Sequence, residues 1–404
     1  MIVKSVFKTP FLLLILLIGL VLTGCRPPGL GAVPKGWSGG VIDDGVLFIG
    51  SMTGSLVAVN ATDGSLLSAV PLDTSGVAVY GSLDVDEGSV YVPGYDGKVR
   101  AFVFEGARLG EEPRWDSQAE NTNGSIVGGL VIDGDKVYYA TSGGQVYAVD
   151  IANGNRQWMF ETGDKIWSTP VVSGETLYIG SFDNKLYALS AESGSLKWQF
   201  ETEGAIVSTP VIYENTLYFG SFDRHFYAVD SASGNLVWKS ESRADNWFWA
   251  TPLIYEGTVY APNLDGKVYA FDTISGKELS EFELGSPVAS SPVLMGNSII
   301  VAAENGTVFA LDTINGQEKQ LINLAENVRA SLAADGETVY IHTSADKVYA
   351  LNARSGAQLW SLSMKEEAPP PPAAKTNWGF IVLIAVVSLI LVMAISALGR
   401  RRKA

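Results

Sequence analysis

One short apolar segment, centred on an alanine, recurs eight times along the chain and constrains the fold more than any other feature. Val146–Asp150 and Phe226–Asp230 show it clearly, as Val-Tyr-Ala-Val-Asp and Phe-Tyr-Ala-Val-Asp. The recurring alanines are Ala58, Ala101, Ala148, Ala188, Ala228, Ala270, Ala310 and Ala350, at spacings of 43, 47, 40, 40, 42, 40 and 40 residues. A period near 40 residues is typical of architectures in which each repeat buries its apolar face against its neighbours.

Each repeat reads as four short β-strands joined by tight turns. In the fourth repeat, apolar and polar residues alternate through Leu177–Ser181, Leu186–Leu189 and Leu196–Phe200, with Asp-Asn and Ser-Gly pairs between them. This alternation indicates antiparallel hairpins, whereas helical repeats would show a period of about 3.6 residues. The sequence therefore predicts an all-β fold, an eight-bladed β-propeller of four-stranded antiparallel blades over residues 37–363. Both the first strand of blade one and the last strand of blade eight are present, so we expect closure without strand exchange.

The start of the chain has the profile of an export signal, because two lysines precede an apolar run over residues 11–22. A Leu-Thr-Gly-Cys sequence ends at Cys25 and resembles the bacterial lipobox, in which cleavage leaves a lipidated cysteine. We expect residues 1–24 to be a lipoprotein-type signal peptide, Cys25 to be lipidated and residues 25–36 to be a tether. An uncleaved signal anchor is the alternative, and either reading places the body across the membrane.

The other end of the chain predicts a second membrane attachment. Residues 364–377 form a proline-rich linker, and residues 378–398 are uncharged and long enough for a transmembrane helix. The basic tail, residues 399–404, should stay in the cytoplasm. We therefore expect a cytoplasmic-membrane protein with the propeller on the extracytoplasmic side and the C-terminus inside.

Charge and residue types argue against several classes of function. Seven of the 28 basic residues lie before residue 26 or after residue 367, where there is no acidic residue, so the rest of the chain carries 43 acidic side chains against 21 basic ones. Such a surface repels phosphate backbones and makes nucleic acid an unfavourable partner. The sequence has one cysteine, two histidines, no P-loop and no zinc-site spacing. We assign no catalytic residue, metal or cofactor, and expect His225 and His342 to be structural.

The repeats also carry a tryptophan motif that points to a family. Ala-x-Asp-x-x-x-Gly-x-x-x-Trp, in full or close form, begins at Ala148, Ala188, Ala228 and Ala350. It resembles the docking motif of pyrroloquinoline-quinone (PQQ)-type propellers, a family of quinoprotein dehydrogenases and cofactor-free scaffolds that includes BamB-like lipoproteins, to which this chain is most similar. The resemblance implies that four tryptophans lie flat between blades: Trp158, Trp198, Trp238 and Trp360. Blades one, two, six and seven lack this match, so we expect them to pack differently.

One irregular connection predicts a binding surface. The segment Arg243–Trp249, between blades five and six, is two residues longer than its counterparts. Trp249 precedes Pro252 as Trp167 precedes Pro170, so both aromatic rings should stand at one rim of the central channel. The candidate mouth for a ligand or partner comprises Trp167, Trp247, Trp249, Asp164 and Asp245. It would suit a peptide, a sugar or a flat quinone, and the alternative is that the aromatics plug the channel as local core.

Three functions remain after these considerations. The first is a non-catalytic, membrane-tethered scaffold that binds envelope or surface proteins. The second is a surface receptor for a sugar or another small ligand. The third is a PQQ-dependent dehydrogenase, which the resemblance makes less favourable because such enzymes often use a vicinal cysteine pair and carry large insertions that this chain lacks.

Overall fold

A computed structural model describes residues 36–73, 76–106, 108–117 and 124–367, and eight antiparallel sheets follow one another along this part of the chain. The predicted eight-bladed propeller is therefore confirmed. Within the described residues, no helix has the length and apolar character needed to cross a membrane. The predicted signal peptide, Cys25, the predicted transmembrane helix at 378–398 and the basic tail at 399–404 lie outside the described residues.

The strands of the first four blades are short. Blades one and two contain β1 (Val41–Asp43), β2 (Val46–Gly50), β3 (Ser55–Asn60), β4 (Leu66–Pro71), β5 (Asp84–Asp86), β6 (Ser89–Pro93), β7 (Val99–Glu105), β8 (Arg108–Leu109) and β9 (Trp115–Asp116). Blades three and four contain β10 (Leu130–Asp133), β11 (Lys136–Ala140), β12 (Gln145–Asp150), β13 (Arg156–Glu161), β14 (Val171–Ser173), β15 (Thr176–Gly180), β16 (Lys185–Ser190) and β17 (Leu196–Glu201).

The last four blades repeat this order, and one helical turn follows them. Blades five and six contain β18 (Val211–Tyr213), β19 (Thr216–Gly220), β20 (Phe226–Asp230), β21 (Leu236–Lys239), β22 (Leu253–Tyr255), β23 (Thr258–Pro262), β24 (Lys267–Asp272) and β25 (Glu278–Glu283). Blades seven and eight contain β26 (Val293–Met295), β27 (Ser298–Ala302), β28 (Thr307–Asp312), β29 (Glu318–Asn323), β30 (Ala333–Asp335), β31 (Thr338–His342), β32 (Lys347–Asn352), β33 (Gln358–Ser363) and α1 (Met364–Glu367).

Burial within a blade explains its strand pattern. In blade four, β15 and β16 are almost wholly buried because both faces pack against neighbouring blades, whereas the outer strand β17 alternates between exposed and half-buried residues. Its turns use left-handed residues, Asn184 at φ 70° and Gly194 at φ 70°, as tight hairpins require. The hairpins therefore follow directly from the turn residues and the alternation.

Tryptophans seal five of the seams between neighbouring blades in the described part of the chain. The indole N–H of each donates to a backbone carbonyl of the next blade over 2.9–3.1 Å: Trp115 to Ile151, Trp158 to Ala191, Trp198 to Ser231, Trp238 to Thr273 and Trp360 to Ala61. Three residues beyond each carbonyl is a glycine on which the ring lies. A Cβ on Gly194, for example, would come within 2.5 Å of the Trp158 ring.

Blade two departs from the four-stranded prediction, because β7 pairs with both β8 and β9. Trp115 in β9 pairs with Ala101, as Trp198 pairs with Ala188 in blade four. The expectation that blade two lacks a docking tryptophan is therefore wrong. The inserted strand β8 lengthens the spacing to Trp115 and hides the match in the sequence.

Three seams lack the tryptophan, as expected for blades one, six and seven. Ser68 and Ser280 pair with the recurring alanines of blades one and six. In blade seven the bulge comes two residues earlier in the third strand and places Lys319 opposite Ala310, where the repeat spacing predicts Gln320. In the described ring, these three seams therefore have no docking indole at the position that pairs with the recurring alanine.

The ring closes by packing of blade eight on blade one, without strand exchange, because each has its own four strands. Trp360 and Tyr340 both donate to the Ala61 carbonyl, each over 3.0 Å. His342 lies 3.1 Å from the Ser38 carbonyl through Nδ1 and 3.2 Å from Asp346 through Nε2. The first and last blades therefore share polar contacts as well as an apolar core.

Recurring acidic residues at the second hairpin of the blades have a geometric role. Asp183, Asp223 and Asp265 each accept a bond from the hydroxyl of a tyrosine four residues later and from a backbone N–H of the preceding connection. Asp346 is at the same hairpin of blade eight, but one position later in the turn than these three aspartates, at φ 61°. Its carboxylate accepts a bond from the Met52 N–H of blade one.

Candidate binding site at the mouth of the channel

One residue from each blade surrounds the mouth of the central channel, just before the first strand of that blade. These residues, the mouth ring, are Trp37, Tyr80, Val127, Trp167, Val207, Trp249, Ala289 and Arg329. They lie on the face that also carries the turns between the second and third strands, the mouth face. The two tryptophans predicted at this rim, Trp167 and Trp249, are brought together with their ring centroids 5.7 Å apart.

The mouth ring and the residues just inside it enclose a channel cavity of about 90 Å³. Small and hydroxyl side chains line it, and hydrogen bonds run from blade to blade around it. The Gly129 N–H donates to Thr169 Oγ1, the Thr169 N–H to Thr209 Oγ1, and the Thr251 N–H to Ser291 Oγ, over 2.8–3.2 Å. These bonds hold the positions of the mouth residues above them.

A continuous aromatic cluster covers blades four to six of the mouth face. Phe222 stacks on Trp247 with centroids 4.5 Å apart, and it lies 5.9 Å from both Trp249 and Phe182. Phe182 in turn packs edge-on against Trp167 at 4.8 Å. The three predicted tryptophans therefore belong to one cluster, joined by two phenylalanines that the sequence analysis missed.

The irregular connection before blade six presents Trp247 to solvent on an anchored backbone. The Asn246 side chain donates to the Leu264 carbonyl at 3.2 Å, and the Leu264 N–H donates to the Trp247 carbonyl at 3.0 Å. Trp247 is nevertheless 44% exposed. Its indole therefore offers an open surface at low cost in backbone entropy.

A second aromatic cluster, not predicted from the sequence, covers blades one and two. Tyr80 lies 4.5 Å from Trp37 and 4.9 Å from Tyr95, measured between ring centroids. The Arg329 guanidinium lies 5.6 Å from the Trp37 ring and pairs with Glu304. Trp37 and Tyr80 occupy the same repeat position as Trp167, so the repeat alignment contains the signal that would have found them.

The acidic part of the predicted mouth is not assembled around the rings. Asp164 and Asp245 are exposed on the mouth face but do not line the channel cavity. The Asp164 carboxylate accepts from the Lys165 N–H at 2.7 Å. Lys165 is instead the charged residue beside the aromatics, with Nζ 4.3 Å from the Phe182 centroid and 5.5 Å from that of Trp167.

The two histidines belong to neither aromatic cluster, although His342 contacts the carbonyl of Ser38, which follows Trp37. Arg243 Nε donates to His225 Nε2 at 3.1 Å, so His225 Nδ1 carries the proton and donates to the Ser240 carbonyl at 3.0 Å. Burial, followed by the charge of Lys239, lowers the pKa of His225. Among the described residues, no group of three or more His, Cys, Asp or Glu side chains is arranged to hold a metal ion.

The eight-bladed ring, its tryptophan-sealed seams and its open aromatic mouth define a PQQ-like β-propeller. The chain belongs to this family: the family model for the β-propeller of beta-alanine-activating enzyme matches residues 144–395, and that for outer membrane protein assembly factor BamB matches residues 26–165. It is also similar in sequence to the outer membrane protein assembly factor BamB of Yersinia pestis, at 29% identity over 130 residues. That match spans 30% of this chain and 33% of the relative.

Solved structures share the fold over most of its length. BamB from Moraxella catarrhalis superposes with a TM-score of 0.66 at 21% identity, over 78% of this chain and 93% of that one. The computationally designed Ika8 protein superposes with a TM-score of 0.69 at 16% identity, over 80% of this chain and 97% of the other. At these identities the likeness shows the architecture alone.

Proposed function

We propose that this chain is a non-catalytic scaffold whose mouth face binds other proteins of the cell envelope or surface. The observation that carries the proposal is the exposed aromatic surface of Trp247 and its neighbours, held on a rigid ring of blades. Tryptophan and tyrosine supply large contact areas and dominate the centres of protein interfaces. The BamB-like family supports an assembly role in general.

We further propose that the propeller is extracytoplasmic and membrane-tethered. The lipobox-like sequence before Cys25 and the uncharged stretch 378–398 support this arrangement. Because an apolar helix of this kind normally stops in the cytoplasmic membrane, that membrane is the proposed address. Cell fractionation that recovers the intact protein in an outer membrane would overturn it.

We do not propose a catalytic or cofactor-binding role for the channel. The cavity within the mouth ring, about 90 Å³, and the adjoining one beside Trp37 and Trp249, about 170 Å³, are each small beside the roughly 300–1,000 Å³ of typical small-molecule sites. Repetition of Asp183, Asp223 and Asp265 in tyrosine-bonded turns favours geometry over acid–base work. Addition of PQQ and calcium to the full chain, followed by dye reduction with alcohols or sugars, tests the dehydrogenase reading, and turnover would overturn the scaffold.

Site-specific photocrosslinking in the native membrane tests the scaffold directly. A benzophenone amino acid is placed at Trp247 on the mouth face and, as the control, at Leu196 on the outer strand β17, which is 47% exposed. We expect a discrete envelope-protein adduct at Trp247 only, lost when Trp249→Ala is added. Equal labelling at both positions would contradict the proposal. Retention of a soluble glycan by the mouth, with no protein adduct, would instead support a sugar receptor.

A further inference from the structure

The seam between blades seven and eight contains a cavity of about 530 Å³. It lies where the docking tryptophan is missing, since Lys319 and Gln320 occupy the tryptophan region of β29. The cavity therefore lies at a seam that lacks the indole contact repeated at five others.

Two residues that line this cavity occupy the positions that receive an indole at other seams. Ala310 corresponds to Ala188, which pairs with Trp198 in blade four. Ala353 corresponds to Ser231, whose carbonyl accepts the Trp198 indole N–H at 3.1 Å. The alanine and the carbonyl of the receiving surface thus line the cavity although the ring is gone.

The inner part of the seam is sealed by the shifted strand itself. A Cβ on Gly356 would meet the Leu321 carbonyl oxygen at 2.7 Å, so backbone covers the glycine on which a tryptophan lies elsewhere. The outer part stays open. There Lys319 Nζ lies 3.4 Å from the Arg354 carbonyl, and both cationic side chains line the cavity together with Asp312 and Glu318.

We propose that this cavity binds the tryptophan side chain of a protein partner, which completes in trans the contact that five seams make internally. Its volume falls within the roughly 300–1,000 Å³ of small-molecule sites and accommodates an indole. The indole N–H has the Ala353 carbonyl as acceptor, and the negative face of the ring complements the Lys319 and Arg354 cations. The site is separate from the mouth ring, and none of its lining residues belongs to the aromatic clusters.

The probe for this site is N-acetyl-L-tryptophanamide, with N-acetyl-L-leucinamide as the comparison ligand, each titrated into the full chain and followed by saturation-transfer NMR. We expect a dissociation constant on the order of millimolar for the indole ligand. Ala310→Leu, which adds methyl and methylene groups to the half-buried wall of the cavity, should weaken binding by about tenfold. Ala232→Leu, on the exposed hairpin of a tryptophan-sealed seam, is the matched control and should leave it unchanged.

Lys319→Trp is a second variant, because Lys319 stands opposite Ala310 and an indole at that position fills the cavity from β29 itself. It should abolish binding, whereas Trp247→Ala should not, which separates this site from the mouth. No saturable binding to the folded wild-type chain, equal binding of the leucine ligand, or undiminished binding to both Ala310→Leu and Lys319→Trp would overturn the proposal.

Discussion

The indole N–H of Trp360 donates to the carbonyl oxygen of Ala61 over 3.0 Å, so the last blade is bonded to the first by the contact that also joins four pairs of consecutive blades. Ring closure is thus not a special device but one more use of a repeated contact. The Trp360 contact should therefore make a large contribution to the free energy of unfolding.

Trp360→Ala should destabilise the propeller by about 3–5 kcal/mol, because it removes a large buried ring and leaves a cavity at the closing seam. Trp198→Ala should lie near the lower end of that range, since Trp198 is only half-buried. Chemical denaturation measures both free energies of unfolding. The exposed Trp247→Ala is the control and should cost less than about 1 kcal/mol; an equally small cost for Trp360→Ala would contradict the closure described here.

A pair of glycine variants should separate backbone strain from loss of ring contact. Gly234 and Gly316 have φ of 73° and 69°, but a Cβ on Gly234 would lie 2.7 Å from the Trp198 ring while one on Gly316 meets nothing within 4 Å. Alanine at either position incurs a strain of about 1–2 kcal/mol. Gly234→Ala should cost roughly 1–3 kcal/mol more, measured by urea unfolding, because the indole must move. Equal costs would show that the ring does not rest on the glycine.

Ser280→Trp should stabilise the chain by about 1 kcal/mol by filling the open seam between blades six and seven. Ser280 pairs with Ala270 in the same register as the docking tryptophans, and the facing Gly316 is uncovered. The melting temperature and the denaturation midpoint report the change. Ser280→Leu, which adds apolar area without an indole N–H, is the comparison, and a loss of stability with tryptophan would show that this seam is already filled.

Alkaline pH should weaken the fold through its hairpin tyrosines. Burial, followed by a hydrogen bond to Asp183, raises the pKa of Tyr187, and Tyr227 and Tyr269 are raised by burial and by Asp223 and Asp265 in the same way. A raised folded pKa means that the unfolded chain releases the proton first, so stability is full below about pH 10 and falls as pH rises above it.

The measurement is the difference in unfolding free energy between pH 8 and pH 11. Tyr187→Phe removes one titrating group and should reduce that difference, whereas Leu196→Ala, at a 47% exposed position without a titrating group, should leave it unchanged. A pH dependence that is identical in Tyr187→Phe and the wild type would exclude this tyrosine as a cause.

The eight-bladed architecture was predictable because the same four-strand sequence pattern recurs eight times along the chain. The repeat period, the apolar–polar alternation and the turn residues agree in each repeat. A wrong strand assignment in one blade therefore does not change the predicted number of blades. Trp115 was missed for a local reason, since the inserted strand β8 changes the spacing on which the motif depends.

The candidate site was predictable only in part. Trp167 and Trp249 share a position before a proline, so their meeting at the rim follows from the repeat. Trp37 and Tyr80 share the position without the proline and were overlooked. The directions of Asp164 and Asp245 depend on local backbone bonds that spacing does not encode.

The even number of strands in a regular blade returns the chain to the face from which it entered. Gly36 and α1 therefore both lie on the mouth face, and Met364 of α1 is packed into the core shared by blades one and eight. Tension applied between the two ends would act on a single joint, the one bonded by Trp360. We expect the contact between blades one and eight to separate first under force, and the blades to unfold one after another from that point.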